Sequence, residues 1–270
     1  MKIYIVDAFT TEIFKGNPSA ICVCGDEAED AFMQEFASEM NHSETAFLRE
    51  LADGGFSLRW FTPATEVDLC GHATLASAHI LWEEGFIEAD ETCVFHTRSG
   101  ELRATKKKDG LIEMDFPIVT PDDLGVGTDV RREISNGIGA EAVWAGKAGA
   151  DLLVELRSEA DVEHFTPRVD YIKSLPIRGL IVTAKSERRK DADFVSRFFA
   201  PAYGIPEDPV TGSAHCALAP YWGPKLNKIE LTGYQASKRG GYVKVKLGSS
   251  RVKLLGSAVT VMSGKARGRK

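Results

Sequence analysis

The sequence predicts an α+β protein built as two similar halves, each a barrel-like sheet wrapped around one central helix. Three observations carry this. Short runs rich in β-branched and aromatic residues fill most of the chain, and turn residues separate many of them. Two segments, GHATLASAHILWEEG from Gly71 and TGSAHCALAPYWG from Thr211, are small and apolar on nearly every side. Helices without a polar face are buried helices. These two segments also superpose, Gly71 on Gly212, His72 on Ser213, Ala73 on Ala214, Ala76 on Ala217 and Ala78 on Ala219. Each follows a β-rich arm and an acid, in EVDLCGH and EDPVTGS, which reads as one design used twice.

In chain order, KIYIVDAF, SAICVC, TAFLRE, FSLRWFT, CVFHT, ELRATK and LIEMDFP read as strands of the first half. DEAEDAFMQEFASEM places Phe32, Phe36 and Met40 four apart with Met33 beside them, the apolar face of a helix. Gly85 stops the first buried helix. Pro, Asp and Gly cluster in FPIVTPDDLGVG, residues 116 to 127, and mark the seam. The halves are therefore 1–117 and 118–270, with the closing strands free to cross back to the first. AVWAG, DLLVELR, RGLIVTAK, DFVSRFFAP, KIELTG, YVKVKL and VKLLGSAVTVM read as strands of the second half, and the basic tail SGKARGRK as a frayed end.

With 43% hydrophobic and 27% charged residues, the 270-residue chain has ample core for this plan. Its net charge of −6 argues against nucleic-acid or acidic-membrane partners and for a small ligand. No run of 18 apolar residues exists, so no membrane span is expected. The first residues read as a strand rather than a signal peptide. Five scattered cysteines with no CxxC pair fit a reduced, cytoplasmic setting.

Chemistry collects at the two helix starts. A helix N-terminus offers unpaired N–H groups and the positive end of its dipole, and Gly71 and Gly212 leave those groups accessible to a carboxylate. Ser213 adds a hydroxyl and His72 an imidazole. An ordinary helix cap explains either start alone; two matching starts point to a substrate held between helix ends that face each other. Asp208, followed by the rigid Pro209, and Glu44, at the mouth of an apolar strand, are the candidate acid-base groups. A loop acid such as Asp208 is most often solvated, and Glu44 in that position is most often a cap or edge residue. Burial would raise the Glu44 pKa into the working range of a proton shuttle.

Rival sites are thin. A hydrolytic triad on Ser213 and Asp208 lacks a GxSxG elbow. His79 and Glu83 lie four apart but lack a third metal ligand. Cys70 at a helix start is either activated by it or an inert core thiol. No phosphate loop or dinucleotide fingerprint appears.

At this point the residues resemble a known family. DAFTTEIFKGNPSAICV (7–23), NHSETAFL (41–48), LRWFTPATEVDLCGHATLASAHIL (58–81), EDPVTGSAHCAL (207–218) and QASKRGGYVKV (235–245) look like the PhzF family of phenazine-biosynthesis-like isomerases. The resemblance implies a diaminopimelate-epimerase-like fold with the active site between two similar domains, no cofactor, no metal, and a homodimer. It implies Glu44 as the proton-shuttling glutamate, His72 and Asp208 as catalytic partners, and Gly71, Gly212 and Ser213 as substrate-binding. Racemases of the wider fold use two facing cysteines. Here Cys70 takes the first position, but Pro209 stands where the second would be, which disfavours two-thiol chemistry. The expected activity is isomerisation of a small carboxylate-bearing, cyclic or unsaturated molecule. A binding protein without turnover on the same scaffold is the alternative.

Overall fold

The computed structural model describes residues 1–26, 28–52, 54–124 and 128–267. They form two compact units. The first comprises Met1–Asp115 and the described residues from Leu255 onward; the second is Phe116–Leu254.

In the first unit, β1 (Lys2–Ala8) pairs antiparallel with β2 (Asn17–Cys24). Helix α1 (Asp30–Met40) carries the chain back, so β3 (Thr45–Glu50) lies parallel to β2. β4 (Phe56–Phe61) returns antiparallel on β3, and the two-residue β5 (Glu66–Val67) pairs with β4. Helix α2 (Gly71–Glu83) follows. Then β6 (Cys93–Thr97) joins parallel to β4, and β7 (Gly100–Lys106) and β8 (Ile112–Pro117) continue antiparallel.

The second unit repeats the order. β9 (Asp122–Asp123) and α3 (Thr128–Ile138) precede β10 (Ala142–Ala148), which pairs antiparallel with β11 (Asp151–Leu156). Two short helices, α4 (Glu159–Glu163) and α5 (Val169–Ser174), stand where α1 stands in the first unit. β12 (Leu180–Lys185) is parallel to β11, β13 (Phe194–Ala200) antiparallel to β12, and β14 (Ile205–Asp208) antiparallel to β13. Helix α6 (Gly212–Leu226) leads to β15 (Glu230–Gln235), parallel to β13, and β16 (Gly241–Leu247), antiparallel to β15. Last come β17 (Arg251–Gly256) and β18 (Ala258–Lys265), and β18 pairs antiparallel with β1.

Strand alternation explains how each sheet holds helices on both faces. In the second unit, Leu152, Val154, Leu180, Val182, Val195 and Phe199 pack with Ile134, Ile138, Val162 and Ile172 of the outer helices. Their neighbours turn the other way. Thr183 accepts a hydrogen bond from Trp222 Nε1 of α6 at 3.0 Å, and Phe194 stacks on Trp222 at 6.2 Å. Each fully buried Leu or Phe contributes roughly 1.5–3 kcal/mol. In the first unit α1 buries Met33 and Ala37 against Ile3, Cys22, Phe47 and Phe61. The α1 face is thus rotated from the Phe32–Phe36–Met40 stripe expected from spacing, and Phe36 and Met40 lie at its margin. α2 is buried from His72 to Ala78 and from Ile80 to Trp82, as its lack of a polar face requires.

The sequence differs from the structure in particular places. VKLLGSAVTVM is two strands broken at Ser257, not one, and Ser263–Lys265 of the basic tail belong to β18. Residues 268–270 of that tail, and residues 125–127 of the seam, lie outside the described residues. Helices α3, α4 and α5 announce themselves poorly: α3 is amphipathic but mostly polar, burying Ile134 and Ile138 amid charged residues, and the other two are five and six residues long. α6 contains Pro220 and runs on past Gly223 through Pro224 to Leu226. No described helix is long and apolar enough to cross a membrane.

Candidate active site

In the first unit, α2 begins at Gly71 with Cys70 as its N-cap in extended conformation. Its first-turn amides lack intrahelical acceptors. His72, the second helical residue, is buried and meets three side chains. Its Nδ1 lies 3.2 Å from Asn17 Nδ2 and 3.5 Å from the Cys70 sulfur. Its Nε2 lies 3.3 Å from Glu44 Oε2. Burial, reinforced by the nearby His42, holds the His72 pKa down to about 3, so the ring is neutral near neutral pH. The amide donor of Asn17 makes Nδ1 the acceptor, which leaves the ring proton on Nε2, facing the carboxylate. With the ring neutral, the 3.3 Å approach of His72 Nε2 to Glu44 Oε2 is a close contact rather than an ion pair or a hydrogen bond.

The β2–β3 ladder places Glu44. Ala20 is registered with Thr45, so Ser19 stands beside Glu44 and donates its hydroxyl proton to the Glu44 carbonyl at 2.9 Å. The Glu44 side chain is 13% exposed, enough to meet a ligand without being a surface acid. Glu44, Cys70 and His72 bring donor atoms within 4.8 Å of one another, a set able to take a divalent ion as well as to move a proton.

In the second unit, α6 begins at the buried Gly212 with Thr211 as N-cap. Asp208, at the end of β14, is 7% exposed and accepts the Thr211 hydroxyl proton. It is thus a core acid and not the solvated loop acid that its setting in the sequence favours, because β14 pairs it with Phe198 of β13. The fully buried Gln235 of β15 closes the turn, accepting from Thr211 N at 2.8 Å and donating to the Asp208 carbonyl at 2.7 Å. Ser213 Oγ accepts from Arg178 Nη2 at 3.0 Å. No histidine hydrogen-bonds Ser213 among the described residues, so the hydrolytic triad is not assembled. Cys216, one turn on, has its thiol pushed up to about 12 by burial and is a core thiol.

Glu44, Gly71 and His72 thus belong to the first unit, and Asp208, Gly212 and Ser213 to the second. The repeat corrects one alignment. Cys70 and Thr211 are the equivalent N-caps, so Thr211, not Pro209, stands at the second cysteine's place. The second thiol is still missing. His79 and Glu83 approach to 3.5 Å, and Thr260 shares both. Asn17, Ser19, Asp151, Arg178 and Gln235 were not singled out from the sequence. Their common signal is position: Ser19 and Asp151 directly precede the first residues of β2 and β11 that register with β3 and β12, and Arg178 closely precedes β12.

Comparison with known proteins places this geometry. The family model for phenazine biosynthesis-like proteins matches residues 6–264. A protein of Halalkalibacterium halodurans named as an uncharacterized isomerase is 53% identical over 260 residues, covering 96% of each chain. The crystal structure of a PhzF-family phenazine biosynthesis protein from Enterococcus faecalis superposes with a TM-score of 0.90 at 42% identity, covering 98% of each chain. A probable proline racemase from Agrobacterium radiobacter superposes with a TM-score of 0.66 at 10% identity, covering 98% of this chain and 92% of that one, and shares the fold alone. The two repeated units are the diaminopimelate-epimerase-like fold, and the chain belongs to the phenazine biosynthesis-like PhzC/PhzF family of isomerases.

Proposed function

We propose that the protein is a cofactor-independent isomerase that moves a proton between two carbons of a small carboxylate-bearing, cyclic or unsaturated substrate, with Glu44 as the shuttle. The observation that supports this most is the sheltered Glu44 carboxylate, whose Oε2 lies 3.3 Å from Nε2 of a neutral imidazole. In the forward step Glu44 takes a proton from a carbon made acidic by an adjacent π-system. The electron pair moves into that system, and the Glu44 carboxyl, whose proton can exchange with solvent meanwhile, delivers a proton to a second carbon. Nothing is oxidised, and no atom enters or leaves. The His72 N–H, which cannot itself ionise near neutral pH, donates a hydrogen bond to developing negative charge without competing for the proton. Asp208 holds a polar group of the substrate, and Ser213 with the amides at Gly71 and Gly212 holds its carboxylate. A homodimer in the cytoplasm completes this reading, and the five free cysteines suit a reducing compartment.

The test is solvent exchange. Cyclic and unsaturated carboxylic acids are screened by thermal shift, since binding stabilises the folded protein by mass action. Those that bind are then incubated in deuterium oxide and followed by proton NMR. The wild type introduces deuterium at carbon; Glu44→Gln, which keeps size and hydrogen bonding, slows this on the order of 10² to 10⁴-fold. A Glu44→Gln protein that exchanges as fast as wild type removes Glu44 from the mechanism.

A further inference from the structure

The repeat relates more than the two helices. In the first unit β3 arrives parallel to β2, and the residue just ahead of it, Glu44, meets the second residue of α2, His72, at 3.3 Å. In the second unit β12 arrives parallel to β11, and Arg178, two residues ahead of it, meets the second residue of α6, Ser213, at 3.0 Å. The supports correspond as well. Ser19, one residue before the registered Ala20, holds the backbone of Glu44. Asp151, one residue before the registered Leu152, holds Arg178. The first unit thus sets an acid beside the second residue of its buried helix, and the second unit sets a cation there, from one residue further ahead of its strand.

The cation is built in, not a surface arginine that happens to lie nearby. Asp151 is buried and takes Arg178 by both oxygens, from Nε at 2.8 Å and from Nη2 at 2.5 Å. The guanidinium lies over the Phe198 ring, 5.5 Å from its centroid. Its backbone is fixed by Arg178 N–H donating to the Ala150 carbonyl at 2.7 Å. The side chain keeps 38% of its surface exposed, and Nη1 has no hydrogen-bond partner among the described residues. Because Nη2 donates to Ser213 Oγ, the serine hydroxyl is left to donate its own proton elsewhere. The result is a planar cation and a hydroxyl donor held side by side. Asp208 is the other charge that acts on Arg178, and its Oδ2 is already occupied by the Thr211 hydroxyl.

We infer that Arg178 is a specificity-determining residue, binding the substrate as an anion beside Ser213 of the second unit, and that Asp151 is its positioning residue. The inference rests on the substrate-holding role given to Ser213 above. It adds a selection rule: carboxylates are accepted, and neutral isosteres of the same shape are refused, because a guanidinium pairs with an anion far better than with an amide.

The experiment compares benzoate and cyclohex-1-ene-1-carboxylate with their primary amides by isothermal titration against the full-length protein. The wild type should bind the acids at least about tenfold more tightly than the amides. Arg178→Gln should lower acid affinity at least about tenfold and leave amide affinity unchanged, so that discrimination disappears. Asp151→Asn, which keeps Arg178 but loosens its anchor, should narrow the acid–amide gap without changing amide affinity. Should Arg178→Gln fold poorly, Ser213→Ala gives an independent reading, with the same loss of preference for acids. Equal binding of acids and amides by the wild type overturns the inference, as does absence of binding by either acid, or an Arg178→Gln protein that still prefers acids. The shuttle fails separately. If Glu44→Gln loses exchange while Arg178→Gln keeps its preference, only the arginine assignment is wrong. If Arg178→Gln loses its preference while Glu44→Gln exchanges normally, only the shuttle is wrong.

Discussion

At the scale of single residues, the molecule sets its protonation states by enclosure. His215 shows this apart from the proposed chemistry. It is fully buried, donates Nδ1–H to the Thr211 carbonyl at 2.8 Å, and packs against Phe194 at 5.8 Å and close to Gly233. Burial holds its pKa down to about 4 from an ordinary 6.5. The folded pKa lies below the unfolded one, so the unfolded chain takes up the proton first as pH falls. The stability this residue contributes is complete above about pH 6.5 and is lost progressively toward pH 4, by about 1.4 kcal/mol per pH unit. Between pH 6.5 and 5 the loss is therefore about 2 kcal/mol. His215→Asn keeps a donor for Thr211 and removes the titration. Its melting temperature should fall less than the wild type's between pH 7 and pH 5, as measured by calorimetry. An equal fall in both proteins would mean that His215 titrates normally in the fold.

At the scale of elements, the two buried helices were legible because composition alone excludes a polar face. The glutamate before β3 was visible because a short acid-bearing stretch opens on an apolar run. Arg178 was not, since a single cation ahead of a strand has no periodicity; its meaning comes from the β11–β12 register, which pairs residues far apart in the chain. α6 was legible at its start and not at its end, because proline ordinarily stops a helix. Pro220 is tolerated because the Cys216 carbonyl, which a residue at that place would normally bond, accepts Val119 N–H at 3.1 Å instead. A glycine further along shows how closely the elements meet. Gly233 of β15 is registered with Phe194 of β13, and a Cβ there would lie 2.5 Å from the Phe194 ring and 2.8 Å from His215 Nε2. Gly233→Ala should cost roughly 1–3 kcal/mol through overpacking, read as a lower urea midpoint with an unchanged slope.

At the scale of the whole molecule, the repeat is a division of labour between copies of one plan. The strand order β-β-α-β-β-β-α-β-β recurs, and each copy sets a charged residue beside the second residue of its buried helix: an acid in the first, a cation in the second. That division could not be read from matching the helices alone, because His72 on Ser213 is a mismatch; the partners of the two side chains make it intelligible. The units also differ in how they are completed. β1 is flanked by β2 on one side and by β18 on the other, so the first unit depends on a strand that follows the entire second unit in the chain. Truncation after Gly256 should expose the β1 edge and unfold or aggregate the first unit, while the second keeps its own strands. Hydrogen exchange read by mass spectrometry should show protection lost in β1–β3 and retained in β11–β13.

That same pairing orders events on the ribosome. Strands β10 to β16 are translated before β18, whereas β1 must wait with one side unzipped until β18 emerges. The β1 edge is therefore sealed late, and a nascent chain stalled before Ala258 carries an open seam that a chaperone would have to shield.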